Sequence, residues 1–549
     1  MGSLDWAVLV GTLILIIMYG VYKSRTSKNL EGYFLNNRSM PWYLVLLSIM
    51  GTQASAITFL SAPGQAYTDG MRFVQYYFGL PLAMIVICIF FVPVFNRLKV
   101  FTAYEFLEKR FDLRTRTLTS FLFQLSRGLS TGISIYAPSL ILSSLLGWNV
   151  YWTNIIMGGL LIIYTVTGGA RAVAYTQKLQ LIIIVIGMLL AGYMVVHLMP
   201  ANIGFAGALR NAGNAGRMNI ITSGATAKGF DWKDKYNMWS GVIGGFFLAL
   251  SYFGTDQSQV GRYLTGKNNR ESKIGLLMNG LVKVPMQFLI LLLGVLVFSF
   301  YQYTKPPIYF NQTQVTLAKQ TPVRDSLILV EAAYKNIAAN DNATIVSLKG
   351  QYKDLLKKAL PGEDVNDTNY IFLRFVIDYL PAGLIGLLIA VIFLAAWGSI
   401  AAALNALASC TMIDIHKKFI QKDLTPHMDY RISKIYTLCW GIFCIVVAES
   451  ASNLGNSLIE TVNILGSLFY GVILGIFLVA FWFKWISGKA VFYSAILSEV
   501  FIIIIYKKEI VSFLWLNVIG AVLVILIGLL FQMILPNMRV KIFKQINRS

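Results

Sequence analysis

Apolar runs of about 18 residues or more recur from one end of this chain to the other. A helix of that length crosses the ~30 Å hydrocarbon core of a bilayer with its backbone hydrogen bonds satisfied internally. Thirteen such spans are read, at residues 4–22, 41–67, 74–95, 118–146, 150–168, 178–199, 238–262, 274–303, 382–412, 434–450, 456–483, 489–506 and 511–535. Composition agrees: of 549 residues 56% are hydrophobic and 13% charged, about half the charged share of a soluble protein. The fold class is therefore an all-α polytopic membrane protein. The first span has no basic stretch ahead of it and no small-residue cleavage site before Lys23, so it reads as a helix and not a signal peptide.

A net charge of +21 would suggest nucleic acid in a soluble chain. Here the cations lie in short loops between spans, so the expected partners are membrane lipids and no nucleic acid. With the N-terminus outside and the C-terminus cytoplasmic, the inner segments carry 26 Lys and Arg against eight in the short outer loops. That asymmetry sets the expected orientation in the plasma (inner) membrane. Three cations stay at membrane depth: Arg127, Lys178 and Lys283. The long outer segment 304–381 holds two charged amphipathic stretches and three Asn-x-Thr triplets, at Asn311, Asn342 and Asn366.

Catalytic and motor chemistry is missing from the sequence. No GxxxxGK(S/T) stretch is present to bind a nucleotide, and no HExxH or CxxC spacing to hold a transition metal. His197, His416 and His427 read as interfacial residues, and Cys88, Cys410, Cys439 and Cys444 as small hydrophobes. The chain is expected not to be an enzyme, and no carbonyl-filter motif suggests a channel.

Secondary transporters place broken helices around a midplane site. The second span is interrupted by Ser48-Ile-Met-Gly51-Thr52-Gln53-Ala54-Ser55 and then Pro63-Gly64. The seventh is interrupted by Ser240-Gly241, Gly244-Gly245 and Ser251-Tyr252-Phe253-Gly254-Thr255-Asp256-Gln257. These two helices lie five spans apart, the spacing of two inverted repeats. On that basis the chain divides into a leading helix and loop (1–37), a first repeat (38–200), an external loop (201–237), a second repeat (238–484, with the insertion 304–381), and two trailing helices with a cytoplasmic tail (485–549).

Phe253-Gly-Thr255-Asp256-Gln257-Ser-Gln-Val260-Gly-Arg262-Tyr263-Leu resembles the (T/S)DQxxVQRY segment of the sodium:solute symporter family. Tyr164-Thr-Val-Thr-Gly168-Gly169-Ala-Arg-Ala172-Val173, with Thr176 and Gln180, is similar to that family's YxxxGGxxAVxxTDxxQ signature. Ser55-Ala-Ile-Thr58-Phe59-Leu-Ser61-Ala-Pro63 resembles the bacterial sialic acid branch, and Tyr136-Ala-Pro138-Ser-Leu140 the iodide and monocarboxylate branch. The resemblance covers about residues 25–485. It implies a leucine-transporter-like 5+5 inverted repeat with thirteen helices, working as a monomer in sodium-coupled symport of a small polar organic solute, with a carboxylate or sugar acid favoured. The alternatives are a sodium-independent or proton-coupled transporter on the same fold and, more remotely, a transporter-like solute sensor.

The resemblance also implies the site. The core sodium carbonyls fall on Gly51 and Ala54, and the serine pair falls on Gly398 and Ser399, of which only Ser399 keeps a hydroxyl. Uncharged oxygens of this kind can replace the water of a sodium ion. The accessory sodium positions fall on Gln177, Ala401 and Ala402, so one sodium is expected as the sole cofactor. Lys178, next door, either snorkels to headgroups or stands in for a cation. Substrate positions fall on Gln53, Ser55, Thr58, Phe73, Tyr252 and Phe253, an aromatic wall with polar donors; Phe253 has helix packing as its alternative. Ungapped alignment puts Ser130 at the carboxylate-binding arginine position of the sialic acid branch. Arg127 lies one turn away, with solute binding and a structural hydrogen-bonded role both open.

Overall fold

The computed structural model describes residues 1–23, 30–337, 342–453 and 457–534. The basic tail beyond residue 534, which enters the expected orientation, lies outside the described residues, as do Arg25 and Lys28. Ten described helices are long and apolar enough to cross a membrane: Ser3–Gly20, Met71–Leu98, Leu113–Leu146, Val173–His197, Asn269–Phe300, Leu384–Ile420, Pro426–Glu449, Leu458–Trp482, Gly488–Lys507 and Phe513–Ile534. The broken pair Trp42–Gln53 and Ala56–Asp69, bent by 61°, supplies an eleventh. The shorter apolar helices Val150–Val166 and Ser240–Gly254 occupy the two places still open, the fifth and seventh spans.

The fifth and sixth spans are assigned as one helix, Val150–His197. Yet the hydroxyls of Tyr164 and Thr176 are 2.7 Å apart, whereas twelve residues along a straight helix cover about 18 Å. The chain therefore doubles back between them, and the two halves cross separately, as the hydropathy pattern predicts. Other boundaries run longer than their apolar runs because polar caps extend them. Asp112 accepts from the Thr115 amide (2.8 Å) at the head of the fourth span, and Asn268 from the Glu271 amide (3.0 Å) at the head of the eighth.

The ninth span is the axis of the molecule: 89% of its apolar stretch is buried, against 22% for the first. It packs with the fourth and tenth. The second, third, seventh and eighth form another packed group, drawn together by small residues. Gly294 of the eighth lies against the Pro63 backbone, and Gly79 of the third against Phe246 of the seventh, where a Cβ would collide with main chain. The eleventh span touches both groups, contacting the fourth and the seventh.

The insertion folds as helices over its own small core, with Tyr309, Leu327, Tyr352 and Leu356 fully buried. Asn311 is buried there, and its side-chain oxygen accepts from the Gln314 amide (3.3 Å), capping the helix Gln312–Ala318. His416 also departs from its interfacial reading. It is buried in the π-helical end of the ninth span, with Nδ1 2.7 Å from the Tyr436 hydroxyl.

Candidate functional site

Both helix breaks and the spans beside them enclose a cavity of about 150 Å³. In the second span the break is one residue pair: Ala54 at φ −77°, ψ 79° and Ser55 extended. The Ser55 amide donates to Gln53 (3.0 Å) and the Thr58 amide to Ser55 (3.0 Å). In an unbroken helix those amides would serve the carbonyls of Gly51 and Ala54, so the break releases the two oxygens on which the core sodium site is expected. Ser399 lines the cavity from the ninth span, its hydroxyl donating to the Ala395 and Ala396 carbonyls at 3.0 and 3.1 Å. Neutral carbonyl and hydroxyl donors suit a sodium ion. A sodium ion held by these oxygens would supply a positive charge between the second span and the ninth.

The expected substrate residues are largely brought together. Gln53, Ser55, Thr58, Arg127, Ser130, Tyr252 and Phe253 all line the cavity. Gln53 is tethered at the same time, its amide donating to Asn279 of the eighth span (2.9 Å). Phe73 stands elsewhere: fully buried, it stacks behind Tyr76 with ring centroids 5.6 Å apart. Tyr76 and Tyr77 form the wall in its place. The 3-10 turn over Met71–Tyr77 rotates side chains away from α-helical spacing, which is why linear alignment picked the layer behind.

Arg127 makes an ion pair with Asp256 at the break of the seventh span and donates to the Tyr470 hydroxyl (2.8 Å). Tyr470 in turn donates to Asp256 (2.8 Å), and the guanidinium lies 5.3 Å from the Tyr252 ring centroid. The other Asp256 oxygen accepts from the amide and hydroxyl of Ser258 at 2.8 and 2.6 Å, capping the helix Gln257–Tyr263. Neither Asp256 nor Tyr470 was among the residues read as functional. The aspartate was visible as part of a motif, but its partner lies 129 residues away.

Lys283 lines the same cavity from the eighth span, 2% exposed, its ammonium 5.5 Å from the Tyr77 ring centroid. No carboxylate among the described residues pairs with it. Membrane depth had marked this lysine in the sequence without giving it a role.

Gln177 is fully buried between the second and ninth spans. Its amide nitrogen donates to the Gly398 carbonyl (3.1 Å) and the Thr52 hydroxyl (3.4 Å), while its oxygen accepts from Ser48 (3.0 Å). Gly51 is required beside it, since a Cβ there would lie 2.8 Å from the glutamine chain. Lys178, about 100° further round the helix, is half-buried and is not one of the cavity-lining residues.

On the side that carries the insertion, Arg72 pairs with Asp69 and Asp234 (both 2.9 Å), and Lys235 pairs with Glu460. These contacts hold the loop before the seventh span against the second, third and eleventh. Among the described residues no cluster of His, Cys, Asp and Glu is arranged to hold a metal ion.

A pair of interrupted helices facing a central polar cavity, in a bundle of this many apolar spans, defines a secondary transporter. The chain belongs to the sodium:solute symporter family, whose model matches residues 33–332 and 343–498. It is an integral membrane transporter of sodium-coupled type. It is 26% identical over 544 residues to the sodium/sialic acid symporter SiaT of Proteus mirabilis, covering 96% of this chain and 94% of that protein. It is also 26% identical to sodium-coupled monocarboxylate transporter 1 of Xenopus laevis, covering 88% of this chain and 69% of that one. Its fold matches a solved structure of a Na+-coupled sialic acid symporter in a substrate-bound outward-open state. The TM-score there is 0.78 at 24% identity, over 97% of this chain and 98% of that one. The leucine-transporter-like repeat architecture implied by the family resemblance is thus the fold of the molecule.

Proposed function

We propose that this protein couples one sodium ion to the uptake of an organic anion, a carboxylate or sugar acid a few carbons long or larger, by alternating access across the plasma membrane. The observation that carries this reading is the charge balance of the cavity. Arg127 and Lys283 line it, and no aspartate or glutamate does. Asp256 offsets Arg127 from behind, so the Lys283 charge is left uncompensated, and a buried cation without a partner is costly. A solute carboxylate would remove that cost and gain charge-assisted hydrogen bonds. Ser130, Ser134, Thr58 and Asn463 offer hydroxyls and an amide to the rest of the solute, and Tyr76, Tyr77 and Tyr252 a face for its carbon skeleton. Relatives named for sialic acid and monocarboxylates carry solutes of this class. The excess of basic residues in the loops opposite the insertion supports an outer N-terminus and a cytoplasmic C-terminus. A cavity lined within one chain supports the monomer as the working unit.

The test is uptake into proteoliposomes of N-acetylneuraminate, lactate and glucose, with and without an inward sodium gradient. Sodium-driven uptake of a carboxylate with glucose excluded is the expected outcome. Glucose uptake without carboxylate uptake would sink the anion reading, and rates indifferent to sodium would sink the coupling.

A further inference from the structure

We propose that Arg127, Asp256 and Tyr470 form a latch that closes the cavity on the side away from the insertion and must part for the solute to leave there. The seventh span enters from the insertion side, so Asp256 lies beyond Ala249 and Tyr252, deeper toward the opposite face. Arg127 likewise precedes Ser130 and Ser134 on a fourth span that starts from that opposite face at Leu113. The three residues are therefore the floor of the cavity as seen from the insertion.

Each comes from a different span, and the spans belong to different packed groups. Asp256 belongs to the second, third, seventh and eighth, Arg127 to the fourth, ninth and tenth, and Tyr470 to the eleventh, which touches both. Rocking one group against the other opens a transporter, and it cannot proceed on this side while the bridge holds. The pairing is dry, with side-chain exposures of 13% for Arg127 and 0% for Asp256. Asp256 is also pinned to its own half-helix through Ser258, so movement of that half-helix pulls directly on the guanidinium. This assigns Arg127 mainly to gating and leaves Lys283 as the cation free for solute. It rests on the alternating-access reading and not on the charge of the solute.

The test needs no solute. In a Cys439→Ser background, Ala249→Cys places a thiol on the cavity wall, and buried Cys444 reports unfolding. Val346→Cys on the exposed face of the insertion reports which side a membrane-impermeant maleimide reaches. Applied in sodium-free buffer from the side opposite the insertion, the reagent should label Ala249→Cys slowly in the parent protein. Labelling should be about tenfold or more faster after Asp256→Asn, which keeps the helix cap but removes the charge, with Cys444 still protected. An unchanged rate would overturn the latch. Should Asp256→Asn expose Cys444 as well, Tyr470→Phe decides: faster labelling with Cys444 protected supports the latch, and no change overturns it.

Discussion

At the scale of single residues the site depends on where charge is left over. Lys283 →Met removes the one cavity cation without a carboxylate partner while keeping the length of the chain beside Tyr77. Loss of a charge-assisted bond is worth about 1.5–3 kcal/mol. The Kd of a carboxylate solute should rise about tenfold or more, and calorimetry on the purified variant checks this. Ser399→Ala deletes the only serine hydroxyl expected at the sodium site, leaving carbonyls alone. Half-maximal sodium activation of uptake should move up by about tenfold, while the maximal rate at saturating sodium holds. Most of the polar wall was reached through the family resemblance, which puts Gln53, Ser55 and Thr58 at a break that the sequence itself marks by Gly and polar residues in an apolar run. Phe73 and Lys283 were not. Their placement depends on the 3-10 rotation of the third span and on the register of the eighth against it, neither of which a linear pattern encodes.

Single elements are fixed at their ends as much as along their faces. The π-helical end of the ninth span is tied down by Asp414, which takes hydrogen bonds from Arg116, Thr102 and Ser120. Glu108, on the short helix Tyr104–Arg110 outside the spans, completes this clamp by pairing with Arg116 and with Lys418 (2.9 Å). Burial pushes the Glu108 carboxyl up, but the hydrogen bonds from Lys418 and Arg116 outweigh it and hold the group below its ordinary value. A carboxyl whose folded pKa is depressed stabilises fully above its unfolded pKa, near 4.5. That contribution fades as pH falls below it through the folded value. Thermal unfolding of the purified protein should therefore lose stability on acidification from about pH 5, and Glu108→Gln should flatten part of that limb. An identical pH profile in the variant would remove Glu108 from the clamp. On the opposite face Lys235–Glu460 ties the loop before the seventh span to the head of the eleventh. Glu460→Gln should speed labelling of an Ala249→Cys thiol from the insertion side and leave the other side unchanged.

Across the whole molecule the architecture follows from thirteen apolar spans and two interruptions five spans apart, which is why it was readable before any side chain was placed. The spans themselves came from length and hydropathy. How they group came from small residues such as Gly79 and Gly294, which permit close backbone approach and leave no periodic signal of their own. Sodium stoichiometry is a property at this scale, because it depends on how the second, sixth and ninth spans meet. Gln177 stands at that junction with both amide hydrogens directed at oxygens, the Gly398 carbonyl and the Thr52 hydroxyl. A cation there would need those same oxygens, so under the one-sodium proposal the amide would do neutrally what a second ion would do with charge. Wild-type uptake should therefore rise hyperbolically with sodium. Gln177→Asp removes the two amide donors and puts a net negative charge among the same oxygens. A buried carboxylate of that kind is costly unless a cation joins it. The variant's melting temperature should climb with sodium well beyond the wild-type response, by the linkage of binding to folding, and its uptake curve should turn sigmoidal. A sigmoidal curve in the wild type, or a variant whose stability and uptake ignore added sodium, would show that the amide does not take the place of an ion.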